Sequence, residues 1–176
     1  MRNFKRIQTL GLFILLFAKT VSAEPNGQIE FDDLSPHYGE PKVEINLSAN
    51  LMNMIGSFAK NADPEIGEVL AGLEFIKIRT YNHSGDVEHA NLVIDKVSKK
   101  LKKDKWETLV TVNDYQEKEQ VRIFSKTTKE TIDGIVVMVV SPEKEGGEAV
   151  FINIVGEVDM NKLAKITETL DININQ

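Results

Sequence analysis

The run Ile135-Val136-Val137-Met138-Val139-Val140 constrains the fold of this chain more than any other stretch. It is apolar at every position, as expected of a strand inside a sheet and buried on both faces. Such a strand needs neighbours, and the flanking sequence supplies them. Trp106 to Val112 alternates, with Trp106, Thr108, Val110 and Val112 expected on one side. Gln120 to Lys126 sets Val121 and Ile123 against Arg122 and Phe124. Val150 to Val155 comes after the turn Pro142-Glu143-Lys144-Glu145-Gly146-Gly147. Short connections rich in turn residues predict an antiparallel meander.

Upstream, Val43-Glu44-Ile45-Asn46-Leu47 alternates as a strand does. Ser48 or Asn50 can cap a following helix with Leu51, Met54, Ile55 and Phe58 as its stripe. Asp63-Pro64-Glu65 predicts a second helix, with Asp63 as cap and Pro64 at the first helical position. It carries Ile66, Val69 and Leu70 and stops near Gly72. Leu73 to Tyr81 predicts a strand with Phe75, Lys77, Arg79 and Tyr81 on one face and Ile76, Ile78 and Thr80 on the other. After the turn Asn82 to Gly85, Asp86 caps a long helix to about Lys103. Val87, Ala90, Ile94, Val97 and Leu101 form its unbroken apolar stripe. Lys99, Lys100, Lys102 and Lys103 end it, complementing the helix dipole. Asp159 is expected to cap a last helix with Met160, Leu163, Ile166 and Leu170 facing inward.

The element order is therefore β-α-α-β-α-β-β-β-β-α. It predicts an α+β domain over residues 43–176, with a largely antiparallel sheet of about six strands and helices mainly on one face. Residues 24–42 hold three of the five prolines and read as an irregular N-terminal arm. The stretches 43–53 and 150–161 resemble each other. Both read as strand, turn, helix, which fits either a pseudo-repeat around one sheet or a chance match.

Residues 1–23 read as a secretory signal peptide. Arg2, Lys5 and Arg6 precede an apolar run from Leu10 to Phe17, and Val21-Ser22-Ala23 offers a cleavage site between Ala23 and Glu24. A spanning helix needs about 20 apolar residues; this run is shorter and Lys19 interrupts it, so no membrane span is expected once the signal is removed. The chain has no cysteine. That excludes disulfides and a lipid-anchored precursor, and it points to a soluble periplasmic or secreted domain held by its core alone. Removal of the signal takes away four basic residues and no acidic ones. The 21 basic residues fall to 17 against 27 acidic ones, a net charge of −10. Such a balance disfavours nucleic acid as a partner.

Several stretches together resemble a known family: the signal segment, the strand-helix of 43–58, Leu73 to Tyr81, Ile132-Asp133-Gly134 leading into the apolar run, Ala149 to Val155, and Gly156-Glu157-Val158-Asp159-Met160. They are similar to a bacterial exported family, domain of unknown function 4252. Many relatives carry a lipid-attachment cysteine, which this chain lacks. The resemblance implies fold and compartment and carries no activity.

No catalytic, cofactor-binding or metal-binding residues are assigned. His83-x-x-Asp86-x-x-His89 has a spacing of six where helical metal pairs use four, and Asp86 is already a cap, so the cluster reads as a solvated helix start. Asp32, Asp33, His37 and Tyr38 read as a polar loop. Ser57 lies inside a helix, without the elbow a nucleophile needs. Glu143, Glu145 and Glu148 lack the alternating aspartates of a calcium loop. Lys99 to Lys105 is the single basic patch, fitting a helix end or a dock for an acidic partner. The expected function is a non-catalytic module that binds an envelope protein or senses envelope state. The alternative is a small carboxylate-based enzyme or ligand-binding protein.

Overall fold

The computed structural model describes residues 26–31, 34–116, 118–141 and 147–159. A single turn, α1 (Ser35–Tyr38), precedes β1 (Val43–Ser48), α2 (Ala49–Ala59), α3 (Pro64–Ala71) and β2 (Leu73–Asn82). Then come α4 (Val87–Lys103), β3 (Glu107–Asp114), β4 (Glu119–Thr128), β5 (Thr131–Val140) and β6 (Glu148–Asp159). The six strands form one sheet in the order β1-β2-β6-β5-β4-β3, and every neighbouring pair is antiparallel. The α+β class and the element order of the sequence hold through β6. The helix expected after Asp159 lies outside the described residues, as do the signal segment and Pro142 to Gly146.

Side chains alternate between the two faces, and the register aligns them in rows. On one face Tyr81, Phe124, Val136, Met138, Val140, Ala149 and Phe151 are buried beneath α4 and the arm. From α4 come Val87, Ala90, Val93, Ile94 and Leu101; from the arm come Phe31 and Leu34. Tyr38 stacks on Tyr81 at 5.1 Å between ring centroids, and its hydroxyl donates to the carbonyl of Ala90. Burial, and then the neighbouring Tyr81, push the Tyr38 phenol well above its ordinary pKa. The arm is fastened by Asn153, which is fully buried on β6. Its Oδ1 accepts from the Ile29 N–H at 3.0 Å, and its Nδ2 donates to the carbonyls of Gly27 and Ile135 at 3.0 and 3.2 Å. Gly27 lies so close to the sheet that a Cβ there would stand 1.9 Å from the Asp133 carbonyl oxygen.

The opposite face is organised differently. The register places Ile45, Ile78, Ile152, Val137, Ile123 and Val110 in one row across all six strands. The adjacent row is Val43, Thr80, Val150, Val139, Val121 and Val112. A third row, Leu47, Ile76, Ile154 and Ile135, packs with Met52 of α2, Val69 and Leu70 of α3, and Leu73 and Ile132. The α2–α3 hairpin thus covers one end of this face.

Four expectations change. The helices do not lie mainly on one face: α4 packs on the first face and the α2–α3 hairpin on the second. On β5, Val136, Met138 and Val140 are fully buried while Ile135, Val137 and Val139 are only half-buried. The apolar run therefore alternates in burial although it does not alternate in sequence. On β3, a bulge at Leu109 sets two steps of β3 against one of β4, with Thr108 opposite Phe124 and Val110 opposite Ile123. An extra residue reverses the faces downstream, so Thr108 lies on the α4 side and Val110 and Val112 on the other. On α2, the buried residues are Met52 and Gly56, whereas Met54, Ile55 and Phe58 are exposed. Gly56 faces α3, where a Cβ would come within 2.8 Å of the Ala71 nitrogen and the Gly67 oxygen. This backbone-to-backbone approach sets the rotation of the helix in place of its apolar stripe.

Candidate cationic cleft

The C-terminal half of α4 lies over β3 and β4 and leaves a cleft of about 350 Å³ beside them. Asp86 starts α4 by accepting from the His89 N–H at 2.9 Å. The helix ends in a Schellman arrangement: Lys105 takes a φ of 63°, its N–H bonds Lys102 O, and the Trp106 N–H bonds Leu101 O at 2.9 Å. Leu101 and Trp106 are both in the core. This fixed end holds the last turn of α4 against β3 and β4.

Eight residues line the cleft. Lys99 and Lys102 come from the helix and are exposed, with no ion pair among the described residues. Arg122 comes from β4, with its side chain only 11% exposed. Its Nη1 donates to the Val112 and Val121 carbonyls at 2.8 and 3.1 Å, and its Nη2 donates to Asn113 Oδ1 at 2.7 Å. Asp95, the nearest acid in the cleft, stands 3.7 Å from Arg122, too far for a good hydrogen bond. The guanidinium is therefore fixed in place and only loosely neutralised. Thr108 and Thr111 add hydroxyls from β3, and both face the helix because of the Leu109 bulge. Ser98 completes the lining; it is 7% exposed and its hydroxyl finds no hydrogen-bond partner among the described residues. A buried hydroxyl left unpaired is costly. Phe124, fully buried, lies among these residues and gives the cleft an apolar element. The arrangement is suited to holding a carboxylate or another oxyanion.

Of the residues considered from sequence, Lys99 and Lys102 enter this cleft. Ala23 and Glu24, the expected cleavage pair, lie outside the described residues, as do Asp32, Asp33, Glu143 and Glu145. Glu148 pairs with Lys42. Ser57 donates to the Asn53 carbonyl within α2. His83 is a correction: it is buried, not solvated. One ring nitrogen lies 2.8 Å from the Ser141 carbonyl, and its backbone N–H bonds the Gly147 carbonyl, so it ties together the ends of the β5–β6 connection. His89 instead stands against His37, with ring centroids 5.5 Å apart. Among the described residues no group of three or more His, Cys, Asp or Glu is placed to hold a metal ion. No described helix is long and apolar enough to cross a membrane.

Sequence reasoning missed Ser98, Thr108, Thr111 and Arg122. Ser98 was legible as a hydroxyl one turn after Ile94 on a buried helix face. The two threonines were not, because simple alternation places residues 108 and 111 on opposite faces.

The fold is an antiparallel six-stranded α+β sheet with a cationic cleft under α4. Residues 37–166 match the family described as Domain of unknown function (DUF4252), and the chain belongs to that family. No curated protein matches the chain.

Proposed function

We propose that this protein is an exported, non-catalytic module that binds an acidic segment of an envelope protein in the cleft between α4, β3 and β4. One observation carries this reading. In a chain that is acidic overall, Lys99, Lys102 and a fixed Arg122 converge with the unpaired Ser98 hydroxyl on a single cleft. The opposite sign of the surroundings would orient an acidic ligand toward the cleft. The cationic lining favours binding an anion over the carboxylate-based catalysis that the composition also allows.

Export is part of the same proposal. It is supported by the basic start, the apolar run Leu10 to Phe17 and the small residues before Glu24. Mass spectrometry of the protein from a fractionated producing cell is expected to give a soluble chain beginning at Glu24. A cytoplasmic chain retaining residues 1–23 would overturn this part.

The binding experiment titrates the mature chain with an oligo-glutamate peptide and, separately, with inorganic phosphate. The peptide is expected to saturate, and raised salt to weaken it, since exposed charges are screened beyond about 8 Å at physiological ionic strength. Replacing Lys99 and Lys102 together by Gln is expected to weaken binding about tenfold, close to 1.4 kcal/mol. Equal affinity in the double variant would overturn the site. Saturation by phosphate alone would turn the reading toward a small-anion binder.

A further inference from the structure

One edge of the sheet is built differently from the other. β1 and β3 are the outer strands, so alternate residues of each turn their N–H and C=O groups away from the sheet. Chains ordinarily blunt such edges with charge, proline or brevity. β1 shows all three: it is six residues long, Pro41 stands just ahead of it, and Glu44 lies within it, paired with Arg79 at 2.9 Å. β3 is eight residues long, and its inner positions, Thr108 to Asn113, carry no charge and no proline. Of the ten large apolar or aromatic side chains exposed among the described residues, four fall in β3 or directly after it: Leu109, Val110, Val112 and Tyr115. The bulge at Leu109 interrupts the start of the strand and leaves Val110 to Asn113 as its regular stretch.

β3 also matches itself. A two-fold axis perpendicular to the sheet sets two copies of an edge strand antiparallel and keeps each face on its own side. With that axis at Thr111, Val110 opposes the partner's Val112, and Val112 opposes the partner's Val110. These valines end the two rows that cross the second face, so each row continues into the other in the second copy. Thr111 opposes its own copy on the first face, a favourable cross-strand pair. An axis at Val112 would instead set Val110 against the partner's Asp114. Charge agrees with the antiparallel sense. The chain enters β3 through residues 99–107, where five lysines stand against Asp104 and Glu107, and leaves it through residues 114–119, where three acids stand against Lys118. Antiparallel pairing lays the basic end of one copy beside the acidic end of the other, whereas parallel pairing would lay like beside like.

We propose that β3 is a self-association edge: two copies of this chain pair antiparallel through β3, about a two-fold axis at Thr111, into one continuous sheet that carries both α4 helices on the same face. An interface one strand wide falls at the small end of specific contacts, so the association is weak and concentration-dependent. The pairing uses the outer edge of β3 and not the cleft between α4, β3 and β4, and either can fail without the other.

Sedimentation velocity of the full mature chain over a concentration series reads the association directly. A monomer–dimer equilibrium is expected; a chain still monomeric at about 1 mM would overturn the proposal. The absence of native cysteine lets single introduced thiols locate the axis. Thr111→Cys would meet its own copy across the axis, within the Cα separation of about 4.4–6.8 Å that a disulfide needs. Val112→Cys would stand about 8 Å from its copy, and Asn113→Cys farther. Under mild oxidation Thr111→Cys is expected to give a covalent dimer about tenfold faster than Val112→Cys, Asn113→Cys or, on the other edge, Ile45→Cys. Equal rates at the four positions, or a fastest bond at any of the other three, would overturn the proposal. A second variant, Val112→Lys, places a charge on the edge. It should raise the dissociation constant about tenfold or more while the blue-shifted emission of buried Trp106 persists. A dimer of unchanged strength in this variant, with Trp106 still buried, would overturn the proposal and place the contact elsewhere.

Discussion

The two faces of one sheet bury their side chains by different means. The first face is apolar at its centre and polar toward its edges. One of its rows runs Glu44, Arg79, Phe151, Met138, Arg122 and Thr111. The apolar centre of that row sits beneath a helix and an arm, and its charged ends are held by partners: Arg79 by Glu44 at 2.9 Å, Arg122 by backbone carbonyls. The second face is β-branched nearly to both edges and is covered at one end. A face that tapers to polar edges is complete in itself. A face that stays apolar to the edges leaves Val43, Ile45, Val110 and Val112 38–43% exposed.

The largest effect that sharpens this contrast compares consecutive residues of β6. Phe151 is fully buried against Phe31, Tyr38 and Tyr81; Ile152 is half-buried on the other face. Phe151→Ala should destabilise by about 3–5 kcal/mol. Ile152→Ala should cost about 1–2 kcal/mol, since less of its apolar area leaves water. Both are read from denaturant midpoints in the full chain. Equal behaviour of the two residues would break the comparison.

Next in size is the polar fastening of the first face. Asn153→Ala removes the partners of the Ile29 N–H and the Gly27 carbonyl. Each buried group left unpaired costs about 1–3 kcal/mol, and water entering at the arm would relieve part of it, so about 2–4 kcal/mol is expected. Proteolysis within residues 26–34 should accelerate together with the loss of stability. Stability lost with no change in arm cleavage would separate Asn153 from the arm. On the second face the corresponding joint is made by backbone contact. Gly56→Ala should cost about 1–3 kcal/mol because its Cβ meets the α3 backbone, which cannot rotate away.

The same contrast explains what the sequence revealed. Alternation and caps place β1, β2, β4, α3 and α4 well, because each is a local pattern: Asp63 accepts from the Glu65 and Ile66 N–H groups as its position suggests. What alternation cannot place is a register shift. Leu109 moves Val110 and Val112 to the second face and brings Thr108 and Thr111 into the cleft. The exposure of Phe58, at 70%, likewise comes from a contact between Gly56 and a helix that a stripe of apolar residues does not encode. Of the eight residues lining the cleft, the two lysines ending α4 were therefore legible, and its strand-borne half was not. The similarity of 43–53 to 150–161 was visible as letters. Its meaning needed the common partner, β2.

The smallest expected effect is electrostatic and confined to the first face. The two rows of the second face that run from β1 to β3 contain no ionisable side chain. On the first face, Glu30 of the arm meets Lys77 of β2 at 2.6 Å. Chiefly the hydrogen bond from Lys77, and then that from Gln28, hold the Glu30 carboxyl below its ordinary range. A carboxylate whose pKa is lowered by folding adds stability above its unfolded value, about 4.3, and that stability is lost as pH falls through the lowered folded value. The Glu30 side chain is 43% exposed, so solvent and salt screen the pair and its contribution is small. Glu30→Gln should lower stability slightly at neutral pH and leave it unchanged at pH values below the folded pKa, so the two acid-unfolding curves converge. The gap at neutral pH should shrink in high salt. If the gap instead persists at low pH, Glu30 acts through packing of the arm and not through its charge.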